Sequence, residues 1–284
     1  MYTEIWENIE QKFGHVISSD ECSLGLLLLA IFSQAQSCRL SIKTGMHSAL
    51  ISIHKGKIVG GQNIPKALDK LSITSLPNES LDELVGRAMS KGHAPNTIFQ
   101  TIGVSLGNYL AAANRVKDAQ FELMPFEAPE VSVPLSGSLV SCFLAGVDAT
   151  VPDDKLELRF SRMNRYQVEQ SSVDWSRARL SPQLIGILRN VSPNSRLSDV
   201  LKSRNFSTQW RLVNHLIALG LLNLKANKKA RQKNKNVAND EKIAEMREVL
   251  SAFGDNPELI PSYKILGLTV PGMVNAKSIN DQYR

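Results

Sequence analysis

The chain has few residues of the kinds that carry chemistry, and what it lacks narrows its class. Its five histidines, His15, His47, His54, His93 and His215, share no H-x-x-H or H-E-x-x-H spacing. The three cysteines, Cys22, Cys38 and Cys142, never cluster with them. Structural zinc takes four closely spaced Cys or His ligands, so no metal site is expected. Odd, unpaired cysteines read as reduced and partly buried, which places the chain in the cytoplasm. Phosphate-binding loops are missing too. Gly103-Val-Ser-Leu-Gly107 falls in a helical stretch with no strand before it, and Gly60-Gly61 lacks the following Lys-Ser/Thr. Ser136 and Ser138 lack an elbow glycine pair and read as capping residues. Asp153-Asp154, after Pro152, suits a turn. His54 beside Lys55-Gly56 reads as a turn residue, and His215, in an apolar helix, as a packed one. No catalytic residue and no cofactor is therefore expected. The opening MYTEIWENIE has no basic leader region, and the longest apolar run, Leu24–Phe32, is too short for a bilayer, so no membrane partner is expected.

What is present is a core. Apolar residues make up 43 % of the 284 positions and charged residues 21 %, which suits a globular protein of up to two domains. The organising stretch is CRLSIKTGMHSALISIHKGKIV, Cys38 to Val59. Cys38, Leu40 and Ile42 alternate with polar residues, as do Ala49, Ile51 and Ile53. Thr44-Gly45 and His54-Lys55-Gly56 interrupt the alternation where hairpin turns need positive φ. The pattern predicts a three-stranded antiparallel meander.

Around it the spacing predicts helices. Residues 1–14 read as a short amphipathic helix, and Ser18-Ser19-Asp20 as the N-cap of the apolar helix through Leu24–Phe32. Helices follow over Pro65–Leu71, Ser80–Lys91 and Pro95–Asn114. Ser80 and Glu83 have the capping-box spacing, and Lys91-Gly92 closes that helix. Ala119–Met124 reads as a strand and Ser136–Val147 as a helix. Leu156, Leu158 and Phe160 alternate like a strand. Short helices at 181–191 and 196–204, a longer one at Ser207–Leu219, and a strand at Leu221–Leu224 after Gly220 form a winged-helix-like series.

The net charge of +6 is matched by one segment. Residues 225–235 hold Lys225, Lys228, Lys229, Arg231, Lys233 and Lys235 and no acid, leaving the remainder neutral. Such a run is a solvated linker or a tether for an acidic partner or nucleic acid, through Lys228, Lys229, Arg231, Lys233 and Lys235. Asp240–Phe253 reads as a helix. Trp175, with Arg177 and Arg179 close by in SVDWSRARL, is either an interaction surface or an aromatic anchor for its loop.

Two resemblances follow. The apolar helix at 23–32, the strand pair, ISIHKGKIVGG, the later helices and the FELM strand resemble the PatA N-terminal-like domain, found in bacterial signalling proteins and of unknown biochemical activity. Where that family has alanine after Ile-Val, this chain has Gly60-Gly61. PQLIGILRNV, LSDVLKS and RLVNHLIALGLLNL resemble the helical segment that often follows that domain, extending the likeness over about 17–224. In the tail, SYKILGLTV and INDQYR resemble the opening of a DnaJ-type J-domain, with Tyr263, Leu266, Leu268 and Tyr283 at its aromatic and leucine positions. The His-Pro-Asp triplet of that family would lie beyond Arg284, so a DnaK-type chaperone is implied as partner only if the chain continues.

The expected fold is α+β: a small antiparallel β-meander with packed helices, then a helical winged-helix-like module and a helical tail. The expected boundaries are 1–130, 131–225, a basic linker at 226–239, and 240–284. The expected role is that of a non-enzymatic adaptor working through protein–protein contact. The alternatives are a nucleic-acid-binding regulator, in which Gln209, Arg211 and Asn214 project from the Ser207–Leu219 helix, and a truncated J-domain co-chaperone.

Overall fold

A computed structural model describes residues 9–45, 47–126, 135, 137–150, 166–192, 195–200 and 206–225. The chain divides into two compact units, 1–225 and 226–284. The second, with the basic run and the tail, lies outside the described residues, as do residues 1–8 and the alternation at 156–160.

The first unit is α+β, built on a five-stranded antiparallel sheet. Its strands are β1 (Val16–Ser18), β2 (Cys38–Thr44), β3 (His47–His54), β4 (Lys57–Gln62) and β5 (Gln120–Pro125), in the spatial order β1-β5-β2-β3-β4. The meander forms in the register its alternation implies. Leu40 faces Ile51 and Cys38 faces Ile53, and all four are fully buried. Lys55 (φ 48°) and Gly56 (φ 74°) make the two-residue turn into β4, the left-handed pair that matches strand twist. β5 inserts beside β2, with Leu123 and Phe121 opposite Leu40 and Ile42.

Helices and sheet share one hydrophobic core. α1 (Leu24–Ser33) is buried from Leu24 to Ile31, as an almost wholly apolar helix must be. Its cap is Ser23, whose Oγ accepts the Leu26 N–H at 3.3 Å. The predicted cap at Ser18–Asp20 is displaced because Val16–Ser18 pairs with β5 as the sheet's edge. α2 (Leu81–Ser90) carries the expected capping box: Ser80 Oγ accepts the Glu83 N–H at 3.3 Å, and Glu83 Oε2 accepts the Ser80 N–H at 2.8 Å. The predicted Pro65–Leu71 helix is instead a turn ending in a short 3-10 segment, Asp69–Leu71. Left-handed Asn63 and Lys66 break that stretch, which is too short to nucleate a helix unaided. Of the N-terminal helix, the described part is one 3-10 turn, Ile9–Lys12.

α3 (Pro95–Ala113) and α4 (Leu139–Thr150) lie side by side and run in the same direction. Cys142 Sγ donates to the Gly103 carbonyl at 3.3 Å, and Arg115 Nη2 to Thr150 Oγ1 at 2.6 Å. Between those points the helices touch backbone to backbone. A Cβ on Gly107 would sit 2.5 Å from the Cys142 carbonyl, and one on Gly146 would land on the Gly107 carbonyl.

A smaller body follows: β6 (Gln167–Gln170), α5 (Pro182–Asn190), α6 (Leu197–Val200), α7 (Phe206–Ala218) and β7 (Leu222–Lys225). β6 and β7 pair antiparallel, Gln167 opposite Lys225 and Gln170 opposite Leu222. β6 carries no strong strand alternation in sequence and is specified by this pairing.

Candidate functional site

The joint between the smaller body and the sheet-bearing part decides what α7 can do. The C-terminal end of α7 meets the N-terminal end of α1. A Cβ on Gly25 would overlap the Ala218 carbonyl and approach Leu219 Cα to 3.1 Å, and one on Gly220 (φ 69°) would sit 2.8 Å from Ser23 Oγ. Glycine at both places lets the two backbones meet. Asn114, closing α3, fastens them: its Oδ1 accepts the Gly25 N–H at 2.9 Å and its Nδ2 donates to the Ala218 carbonyl at 3.2 Å. The positive end of α1 thus faces the negative end of α7.

One turn back along α7, Asp148 of α4 forms a second fastening. Asp148 Oδ1 lies 2.7 Å from His215 Nε2, and Oδ2 lies 3.4 Å from Arg211 Nη1. Arg211 and His215 are four residues apart and share a helix face. The sequence held a signal for this cluster: Asp148 is the one charged residue in α4.

Much of α7 is therefore packed against the rest of the chain. From Gln209 to Gly220 no residue is exposed, and Trp210, Val213, Asn214, Leu216 and Leu219 are buried. Of the three side chains expected to project from this helix, Asn214 is 6 % exposed, Arg211 engages Asp148, and Gln209 is half-buried. A groove-reading helix must present base-contacting side chains to solvent, and here Asn214 is buried and Arg211 is held by Asp148.

Trp175 lies in a 3-10 turn, Trp175–Arg177, capped by Asp174. Its ring is half-buried against the core, and its Nε1–H points to Gln170 Oε1 at 3.4 Å. Gln170 Nε2 in turn donates to the Leu188 carbonyl at 2.5 Å and the Val191 carbonyl at 3.2 Å. This is an anchor tying the loop to the end of α5. Arg177 and Arg179 are exposed; Arg177 lies 3.8 Å from Asp174, and the Arg179 backbone N–H donates to Ser33 Oγ at 3.1 Å. Trp175 is thus half-buried and anchored, while Arg177 and Arg179 of the same loop are exposed. Lys228, Lys229, Arg231, Lys233 and Lys235, like Tyr263, Leu266, Leu268 and Tyr283, lie outside the described residues.

Burial pushes the thiols of Cys22 and Cys38 up to about 12 and that of Cys142 to about 11, far from the range of an activated nucleophile. Among the described residues, no group of three or more His, Cys, Asp or Glu could hold a metal ion, and no helix is long and apolar enough to cross a membrane.

A different surface is marked by what is missing from it. α3 has nineteen residues and no charged one. Its solvent side carries Thr97, Gln100, Val104 (41 % exposed) and Ala112, and beside it α4 exposes Ser141, Ala145 and Ala149. Depletion of charge is the compositional mark of the centre of a protein interface.

The chain has no match among protein-family models, curated proteins or solved structures.

Proposed function

We propose that this protein is a non-enzymatic bacterial signalling adaptor that acts by protein–protein contact. The observation that carries the reading is the uncharged solvent face of α3, bordered by the small residues of α4. The exposed large apolar side chains among the described residues, Val16, Leu76, Met89, Val104 and Val116, all belong to the sheet-bearing part. The resemblance of residues 17–224 to the PatA N-terminal-like domain points the same way. On this reading the β6–α5–α6–α7–β7 body is a winged-helix-like module used as a fixed structural brace, since its longest helix is sealed by Asn114 and Asp148.

The test is quantitative affinity purification from native lysate with the full chain and its Val104→Glu variant. Val104 is exposed, so the variant should melt as the parent does. The expected result is a protein retained by the parent and lost by the variant. Identical retention profiles would remove α3 as the contact face. Substrate turnover abolished by one substitution would overturn the non-enzymatic reading.

A further inference from the structure

The solvent side of α3 and α4 is neutral from end to end. α3 carries no charged residue, and the one on α4, Asp148, is turned to α7, where Arg211 and His215 hold it. What stays exposed along this side is Thr97, Gln100, Val104 and Ala112 of α3 with Ser141, Ala145 and Ala149 of α4. The chain as a whole carries a net charge of +6. In a two-fold interface each patch meets its own copy, so a charged patch faces like charge and a neutral one does not. Here two copies of a basic chain can meet without that repulsion.

The geometry is also self-complementary. α3 and α4 run in the same direction with their backbones touching at Gly107 and Gly146, so the like ends of two helix dipoles lie together. A second copy turned end for end sets each positive end against a negative one. Val104 is the tenth of the nineteen residues of α3, and it is the one exposed large apolar residue of these two helices. A two-fold axis crossing the middle of α3 therefore places Val104 against its own counterpart. Gly103 lies beside Cys142 and Gly107 beside Gly146, which sets Val104 level with Phe143. The same axis then brings Ser141 of one copy against Ala145 of the other, and small residues at a contact let helices approach closely.

The nineteen residues of α3 and the twelve of α4 span about 28 Å and about 18 Å. At a width of about 10 Å each, the face is on the order of 450 Å² per copy, about 900 Å² in all, which is the size of a weak, reversible contact. We propose that the partner on this face is a second copy of this chain, docked antiparallel about an axis through Val104 in a four-helix contact. The assignment rests on α3 being the contact face.

The experiment is sedimentation equilibrium of the full chain from about 10 µM to about 1 mM, a range that reaches millimolar dissociation constants. The expected result is a reversible monomer–dimer equilibrium. Val104→Glu and Val104→Lys, each alone, should stay monomeric, because like charges then meet across the axis. Mixed in equal amounts, the two variants should associate again, since opposite charges now face each other. Recovery on mixing cannot arise from misfolding, so it keeps the test decisive if either variant melts early. The dissociation constant of the parent should not rise as salt goes from about 50 to about 200 mM, because the face is neutral. A parent that is monomeric throughout, assembly beyond two copies, or a mixture that stays monomeric overturns the second copy as partner. If the parent is monomeric yet a different lysate protein is lost on Val104→Glu, the contact face stands and its occupant is wrong. If Val104→Glu leaves both the dimer and the lysate profile unchanged, α3 is not the contact face and both readings fall.

Discussion

Replacing Asn114 by alanine tests whether the smaller body is part of one cooperative fold. The side chain joins residues far apart in sequence, Gly25 and Ala218, through hydrogen bonds of 2.9 and 3.2 Å. Asn114→Ala removes both at once and leaves a backbone N–H and a backbone carbonyl without their partner. Each such group costs about 1–3 kcal/mol when fully buried. This joint is only partly buried, so about 1–1.5 kcal/mol apiece, roughly 2–3 in all, is the reasonable scale. That is a large part of a typical total of about 5–15 kcal/mol. A domain of this size loses about 2–4 °C of Tm per kcal/mol, so the expected fall is about 4–12 °C. Calorimetry measures it, and amide exchange locates it. If the joint is structural, protection should fall at Gly25 and in α7 together, with one transition retained. A shift below about 1 °C, or two separate transitions in the parent protein, would refute the view that the joint makes the two bodies a single unit.

Two further outcomes follow from burial and open space. Gly86 lies on the exposed side of α2, and a Cβ there would meet nothing within 4 Å; Gly86→Ala should raise stability by about 0.5–1 kcal/mol in urea titration, and a loss would mean the helix is not formed at that point. Cys22 and Cys38, pushed up to about 12 by burial from an ordinary 9.0, should resist a thiol reagent at pH 8 until the protein unfolds. Because both folded-state values are raised, the stability they contribute is complete below pH 9 and is lost as pH rises from 9 towards about 12. Tm should therefore fall across that window, and rapid labelling of either thiol in the native state would contradict the burial.

How much was legible in the sequence depended on how local the signal was. The meander, the capping box at Ser80 and Glu83, and the apolar α1 were legible because period, turn residue and cap all lie within a few residues of one another. β1 was not, because Val16–Ser18 is a strand only by virtue of β5 about a hundred residues later. The Pro65–Leu71 reading failed for the opposite reason: local propensity was all it had, and Ala67 and Leu68 are buried through a turn in which Lys66 is left-handed. The joint was invisible. Gly25, Gly107, Gly146 and Gly220 look alike on paper, and only the backbone opposite each one shows why a side chain is excluded. Arg211 and Asn214 fitted the pattern of a groove-reading helix, yet that pattern cannot say which face the rest of the chain will cover.

That last point governs where any partner can bind. A helix–helix–helix–strand series with a polar stripe on its third helix suggests nucleic-acid reading by that helix. Here the stripe is used inward, with Asp148 taking Arg211 and His215, and Asn214 buried. An interface must therefore be found where side chains still face solvent. The exposed large apolar groups lie on the sheet-bearing part, and α3, which bears Val104, carries no charge. Apolar surface without charge suits a protein. Val104→Glu should therefore cost protein binding and leave Tm unchanged, and binding retained by that variant would move the interface off α3.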